Sequence, residues 1–309
     1  MRLIKEVENE EGGGLLLIEQ LINGLTLGSI YVIVALGYTL VFGVLNVVNM
    51  GHGEIFMFGA FMGVVVTNIL GWPLYIAFVV AIVVTGILGY FLETFALRPL
   101  RGKEGVSHLA PLISTIGVSI FLENVAHHFF GSGNHPFRTS LSELKFVLGS
   151  TTVYYVQIII FVIAILLMFG LTFWLSKTKA GKALRASAEN LAVASLLGVN
   201  TKRTITQTVI IASAMGGIAG ILVGIAFNSV NPQMGLSFGL KGLAIIILGG
   251  LGNVRGAMVG GLILGMAETF IVAYGDSGYR DAVAFIAIIV ILIVRPQGIF
   301  GTATTGRKG

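Results

Sequence analysis

The 309-residue sequence contains no cysteine, and only 11% of its residues carry a charge. The lack of cysteine excludes disulfides, thiolate metal sites and cysteine nucleophiles. Soluble domains average about 25% charged residues, so the scarcity of charge excludes a soluble enzyme with a single membrane anchor. No hydrophilic block is long enough to form a separate soluble domain. Together with a mean hydropathy of +0.94, these absences predict one all-α polytopic membrane domain.

Motifs for nucleotides, metals and catalysis are also missing from the sequence. Gly181-Lys182 is not followed by Ser or Thr, and Ser176 stands where a P-loop has its leading glycine. The histidines form no H-E-x-x-H pattern, and the adjacent His127 and His128 would point about 100° apart on a helix. We therefore predict no catalytic residue, no metal site and no cofactor. The net charge of +5 is attributed to membrane topology and anionic lipid, not to nucleic acid.

Long uncharged runs recur along the chain, and a helix that rises about 1.5 Å per residue crosses a bilayer in about 20 residues. The uncharged run over residues 55–92 is too long for one crossing, and Gly71-Trp72-Pro73 divides it into two spans. Counting predicts nine transmembrane helices, or eight if residues 236–251 are re-entrant, with the N-terminus outside and the C-terminus inside. The spans are residues 20–45, two within 55–92, and 107–130, 156–175, 204–227, 236–251, 257–274 and 282–294.

The termini and the glycine content complete the domain organisation. The first 14 residues are acidic rather than basic, so we expect a polar acidic extension over 1–14 and not a signal peptide. Residues 15–301 form the membrane domain, and 302–309 form a short polar tail. Many of the 43 glycines stand at small-xxx-small spacing, which allows close helix packing and also broken or re-entrant segments.

A basic loop, residues 176–203, separates two uncharged spans. It holds six basic residues against the single acid Glu189, so the positive-inside rule places it in the cytoplasm. Its apolar spacing predicts one helix over residues 182–197 that ends at Gly198, and Asn200 or Thr201 is positioned to cap the next membrane helix. Two interpretations fit this pattern: a basic helix resting on anionic lipid, or a helix that docks on a cytosolic protein.

Polar side chains gather at two breaks between spans. Asn46, Asn49, His52 and Glu54 cluster at the first break, and Asn253 lies at the second. Broken helices expose backbone amides and carbonyls that suit the carboxylate and ammonium groups of a zwitterion, so these five residues are predicted to line a substrate pathway. The alternative for each asparagine is a cap or turn at the end of a span.

Several motifs together resemble one family. The segment KTKAGKALRASAENLAVASLLGVNTKR is similar to the cytoplasmic coupling loop of LivH-type permeases of branched-chain amino acid ABC importers. The segments GSIYVIVALGYTLVFGVLNVVNMGHGEIFMFGAF and AIIILGGLGNVRGAMVGGLILG and the terminal RPQGIFG resemble the same family. The likeness covers nearly the whole chain from about residue 15.

The resemblance implies a heteromeric importer in the cell (inner) membrane that works by alternating access. Its other components would be a homologous LivM-type permease, two cytosolic ATP-binding subunits and an extracytoplasmic substrate-binding protein, with ATP bound by the partner subunits. In this family the loop helix contacts the ATPase, which makes Lys182, Arg185, Glu189 and Leu191 the candidate coupling residues. A urea or short-chain amide permease of the same family is the near alternative, and an ion-coupled secondary transporter is the more distant one.

Overall fold

The computed structural model describes residues 2–101, 109–139, 141, 144–148 and 151–301, without the side chains of 2–15, 148, 151 and 277. The predicted extension (1–14) and tail (302–309) therefore lie outside the described side chains. The described part is a bundle of α-helices with one antiparallel hairpin, β1 Lys145–Leu148 and β2 Thr151–Tyr154. The helices are α1 Arg2–Leu45, α2 Gly51–Val64, α3 Leu74–Phe91, α4 Ala110–Phe130, α5 Tyr155–Lys177, α6 Lys179–Glu189, α7 Leu191–Leu196, α8 Thr201–Phe227, α9 Met234–Gly249, α10 Val254–Tyr274 and α11 Arg280–Val294.

The helices confirm an all-α polytopic membrane protein. Among the described residues, six helical segments are long and apolar enough to cross a membrane: Leu16–Leu45, Gly51–Ile69, Leu74–Leu100, Tyr155–Lys177, Thr201–Phe227 and Val254–Tyr274. Helix α4 has 21 residues, whereas α9 and α11 have 16 and 15. The choice between eight and nine crossings stays a prediction. The expected break between the second and third spans is present, because the helical chain stops at Ile69 and resumes at Leu74.

Glycines let the central helices touch backbone to backbone. A Cβ added to Gly59 of α2 would lie 2.5 Å from the Cα of Gly217 in α8, and one added to Gly28 of α1 would lie 2.9 Å from the Cα of Leu262 in α10. Lipid supplies no hydrophobic drive between helices, so such close van der Waals contact holds the bundle together. At these positions the sequence expectation of close glycine packing is confirmed.

Two helices begin inside the bundle. Helix α1 ends at Leu45, and Asn46 then turns the chain with a positive φ of 50°. His52, near the start of α2, nevertheless packs against Gly37, which lies eight residues before the end of α1, or about 12 Å back along its axis. The start of α9 also reaches this region, since a Cβ on Gly53 would lie 3.0 Å from the Cα of Gly239. The first turns of α2 and α9 therefore meet deep within the bundle, as broken segments would.

The basic loop differs from the single helix predicted over residues 182–197, and that prediction was wrong. The chain forms two helices, α6 and α7, separated at Asn190, whose backbone is extended with φ −159° and ψ 110°. The Asn190 side chain accepts hydrogen bonds from the backbone N–H groups of Ala192 and Val193 at 3.0 and 3.1 Å. Asparagine is among the best N-cap residues, and here its capping outweighs the helical spacing of the neighbouring leucines and alanines.

The end of the basic loop follows the sequence prediction. Gly198 has a φ of +84°, a left-handed conformation that suits glycine and ends the helical run. Asn200 then caps α8 by accepting a hydrogen bond from the backbone N–H of Arg203 at 3.0 Å. The membrane helix that follows the basic loop therefore has a fixed starting point.

Candidate functional site

Helix α6 anchors the basic loop to the bundle beside the end of α5. Leu184 and Ser187 are buried, and a Cβ on Gly181 would lie 2.6 Å from the Cα of Leu175 at the end of α5. Three of the four predicted coupling residues, Lys182, Arg185 and Glu189, point away from this anchor and are exposed. Helix α6 therefore presents charged side chains outward while its apolar side holds it to the membrane domain.

Helix α7 presents an apolar surface that the sequence reasoning missed. Leu196 and Leu197 are 87% and 77% exposed, and Val193 is exposed beside them. Leu191, the apolar coupling residue predicted from the sequence, is instead partly buried and packs against the core. The spacing i, i+3, i+4 of Val193, Leu196 and Leu197 is the signal in the sequence that indicates this surface. We call these three residues the α7 apolar row.

A crevice of about 490 Å³ lies beside α6, at the end of the bundle where α5 ends. It is lined by Arg185 from α6 and by Asn253, so the structure brings one predicted coupling residue and one predicted pathway residue together. Asn253 caps α10 by accepting from the backbone N–H of Gly256 at 3.1 Å, and its Nδ2 donates to the carbonyl of Phe300 at 2.8 Å. These bonds fix the C-terminal turn against the crevice, and they match the capping alternative for this asparagine.

The predicted pathway residues divide into two groups. Asn46 is exposed just after the end of α1. A Cβ added to the nearby Gly43 would lie 3.8 Å from the Cα of Gly252, which precedes Asn253. Asn46 and Asn253 therefore lie toward the same end of the bundle. Asn49, His52 and Glu54 are buried at the start of α2. Only this second group lies where the first turns of α2 and α9 meet.

The buried group at the start of α2 has unused hydrogen-bonding capacity. The Asn49 Oδ1 accepts from the backbone N–H of Gly51 at 3.1 Å, and the Ser119 hydroxyl donates to Glu54 Oε1 at 3.1 Å. Within the described part of the chain, Asn49 Nδ2, both ring nitrogens of His52 and Glu54 Oε2 have no hydrogen-bond partner. Unpaired buried polar groups are costly, so their retention in the bundle is a signal of function.

The first turn of α9 lies directly against the Glu54 carboxylate. A Cβ on Gly235 would come within 2.7 Å of the Glu54 carboxyl carbon, so any side chain at position 235 would displace the acid. Helix N-termini carry partial positive charge, which makes this a favourable place for a carboxylate. His52 packs edge-on against Tyr38, with ring centroids 4.6 Å apart.

A second buried cluster was not predicted as a site. Lys241 of α9 donates to Glu268 of α10 at 3.0 and 3.2 Å and to the Tyr31 hydroxyl of α1 at 3.0 Å, and it pairs with Asp281 at 2.9 Å. The Tyr31 hydroxyl also donates to Glu268 at 2.6 Å, and Arg280 Nε lies 3.0 Å from Glu268 Oε1. No short-range spacing in the sequence pairs Lys241 with Glu268, which are 27 positions apart.

A third cluster ties the base of α8 to the end of α3. Glu93 is fully buried and accepts from Arg98 Nη2 at 2.8 Å, from the Thr206 hydroxyl at 3.1 Å and from Arg101. Thr206 lies in the second turn of α8, shortly after the basic loop. Charge-assisted hydrogen bonds therefore join the base of α8, just after the basic loop, to the chain at the end of α3. The described residues contain no group of three His, Asp or Glu side chains that could hold a metal ion.

Comparison with known proteins places this geometry in a family. Residues 20–293 match the family described as "Branched-chain amino acid transport system / permease component". The chain is 41% identical over 298 residues to the high-affinity branched-chain amino acid transport system permease protein BraD of Pseudomonas aeruginosa, covering 92% of this chain and 95% of that protein. It is 39% identical over 297 residues to the corresponding permease LivH of Escherichia coli K12, again covering 92% and 95%.

A more distant relative extends the same likeness. The chain is 29% identical over 283 residues to a probable branched-chain amino acid transport permease protein LivH of Methanocaldococcus jannaschii, covering 88% of this chain and 89% of that protein. With six helical segments long and apolar enough to span, the chain is a multi-pass protein of the cell membrane. The match across nearly its whole length shows that the chain belongs to the permease-component family of branched-chain amino acid transport systems.

Proposed function

We propose that the chain is the membrane permease subunit of an ATP-driven importer that moves branched-chain amino acids across the cell membrane by alternating access. The observation that carries the proposal is similarity over 92% of the chain to permeases that are named for this transport. ATP is bound and hydrolysed by two separate cytosolic subunits, and the permease supplies no catalytic residue and no cofactor of its own.

The basic loop is the proposed contact with the ATP-binding subunits. The α7 apolar row offers exposed leucines to a groove, while Lys182, Arg185 and Glu189 on the preceding helix α6 offer exposed charges that guide and orient docking. Leu191 lies on the other side of α7, where it is partly buried and packs against the hydrophobic core. Movement of the ATP-binding subunits then passes through α6 and the Glu93 cluster into the bundle.

The outer surface of the bundle is the proposed contact with lipid and with a second permease. Large apolar side chains on α4 and α5 are strongly exposed, including Phe121, Phe129, Leu166 and Phe169. Such a surface needs cover from lipid or from another apolar protein, and a homologous LivM-type permease is the proposed neighbour. An extracytoplasmic substrate-binding protein delivers the amino acid to the opposite face from the basic loop.

The meeting point of α2 and α9 is the proposed moving part of the substrate pathway. Asn49, His52 and Glu54 have unused polar atoms there, and half-helices that meet within a bundle can change their relative positions. Asn46 and Asn253, near the inner end, are proposed to border the exit. Closure of the ATP-binding subunits biases the equilibrium between the two arrangements of these helices.

The subunit composition tests this function. The tagged chain is expressed in its own host, extracted in mild detergent, and its partners are identified by mass spectrometry after affinity purification. We expect two ATP-binding subunits and a second permease. A chain purified alone, in a preparation that still takes up substrate with an ion gradient and without ATP, would contradict the importer and indicate a secondary transporter.

A further inference from the structure

The Lys241–Glu268 cluster borders a pocket of about 280 Å³ between α8, α9, α10 and α11. The cluster is satisfied on its inner side, because the Lys241 ammonium and the Glu268 carboxylate are bonded to each other and to Tyr31. The inner ion pair is therefore a fixed wall of the pocket and has no bonding capacity left for a ligand.

The two outer charges of the pocket are only partly used. The Arg280 side chain is 42% exposed, and its Nε lies 3.0 Å from Glu268 Oε1. Asp281 is 65% exposed, and its Oδ1 lies 2.9 Å from Lys241 Nζ. The pocket thus offers a partly exposed guanidinium group and a largely exposed carboxylate on adjacent residues.

The rest of the pocket combines apolar side chains with the polar Ser229, Asn231 and Ser237. Its lining includes Val223, Phe227, Met234 and Phe238. Phe227 lies under the Arg280 guanidinium at 5.4 Å from ring centroid to Cζ, which holds the guanidinium in place over an apolar floor. A small molecule with an aliphatic body and two opposite charges at one end matches this lining, and small-ligand sites generally combine apolar walls with a few placed polar groups.

We propose that this pocket binds a free α-amino acid with an aliphatic side chain. Arg280 receives the carboxylate through its Nη groups, Asp281 receives the ammonium group, and the aliphatic side chain contacts Phe227, Met234 and Phe238. The assignment of the ligand rests on the proposed function, and it adds a binding site distinct from the polar residues at the start of α2. Bidentate Arg–carboxylate pairing supplies the stronger of the two polar contacts.

Binding of three related molecules to the full-length chain in lipid nanodiscs tests the site. The probes are L-leucine, leucinol, which lacks the carboxylate, and 4-methylpentanoate, which lacks the ammonium group. Saturation-transfer NMR titrations measure each dissociation constant. For the unchanged chain we expect leucine to bind about 10-fold or more tightly than either analogue, because each analogue loses one charge-assisted contact.

Two variants separate recognition of each charge from a general defect. Arg280→Gln should weaken leucine to the level of leucinol and leave leucinol unchanged, whereas Asp281→Asn should weaken leucine to the level of 4-methylpentanoate and leave that analogue unchanged. Asp276→Asn is the matched control in the same α10–α11 connection, where the Asp276 side chain accepts from the backbone N–H of Gly278. If Arg280→Gln fails to insert, Arg280→Lys keeps the charge and should still lose affinity for leucine but not for leucinol.

A blocked pocket gives an independent test, since Ser229→Trp places a large ring in the lining and should weaken all three molecules. Equal losses for all three probes in Arg280→Gln and Asp281→Asn would overturn the site, and so would no loss in either variant. Uptake by the assembled transporter is measured in parallel. Normal ATP-driven leucine uptake with unselective binding would reject the pocket alone, whereas absence of leucine uptake in the unchanged complex would reject the proposed function.

Discussion

The α7 apolar row gives the most quantitative prediction for docking of the ATP-binding subunit. Full burial of a leucine side chain stabilises by about 1.5–3 kcal/mol. Leu196 and Leu197 are 87% and 77% exposed, so nearly all of this free energy is available to a partner. Since interface residues are seldom completely buried and truncation effects do not add, we expect Leu196→Ser/Leu197→Ser to cost about 1.5–3 kcal/mol of binding, or about 10- to 150-fold in Kd.

The assay is binding of the purified ATP-binding subunit to the chain in nanodiscs, followed by uptake in the assembled complex. The double variant should keep normal membrane abundance and thermal stability, because the two side chains make little contact within the chain itself. The control is Leu144→Ser/Val147→Ser, which removes similarly exposed apolar surface near the hairpin at the far end of α5. Unchanged Kd and unchanged uptake in the α7 variant would refute the docking surface.

Three further perturbations follow from the packing and the capping. Asn190→Ala removes the N-cap of α7 at a cost of about 1 kcal/mol and should weaken ATPase binding, whereas Asn190→Ser should restore the cap and the binding. Glu93→Gln leaves Arg98 without its buried partner and should lower the free energy of unfolding by about 2–3 kcal/mol. This loss is smaller than for a fully buried pair because Arg98 is partly exposed. Thermal denaturation in detergent measures the loss, and an unchanged Tm would contradict the prediction. Gly59→Leu should abolish folding by driving a side chain into the α8 backbone, whereas Gly117→Leu, which meets open space, should fold normally; size-exclusion profiles of the two variants decide.

Much of the fold was predictable because membrane spans are local signals. The uncharged runs, the break at Gly71-Trp72-Pro73 and the stop at Gly198 all depend on residues close in sequence, and the structure confirms them. The split of the basic loop into two helices also has a local signal, the capping residue Asn190, but periodicity alone predicted a continuous helix. A capping residue in the middle of a periodic stretch competes with that stretch, and here the cap prevails.

The site was less predictable because it is built from distant residues. Lys241 and Glu268 are 27 positions apart, and Tyr31 reaches Glu268 across 237 positions. No sequence spacing pairs such residues, and only the crossing of α1, α9 and α10 brings them together. The five predicted pathway residues likewise looked alike in sequence, although three are buried at the α2–α9 contact and the other two lie toward the end of the bundle that carries the basic loop.

The central claim is that this chain moves branched-chain amino acids only when ATP-binding subunits drive it through the basic loop. The direct measurement is uptake of radiolabelled leucine into proteoliposomes that contain the chain, the second permease and the ATP-binding subunits, with the substrate-binding protein added outside. We predict accumulation that requires enclosed ATP and is lost when the Leu196→Ser/Leu197→Ser permease is used. Leucine accumulation that persists without ATP, or that is unaffected by this variant, would contradict the account.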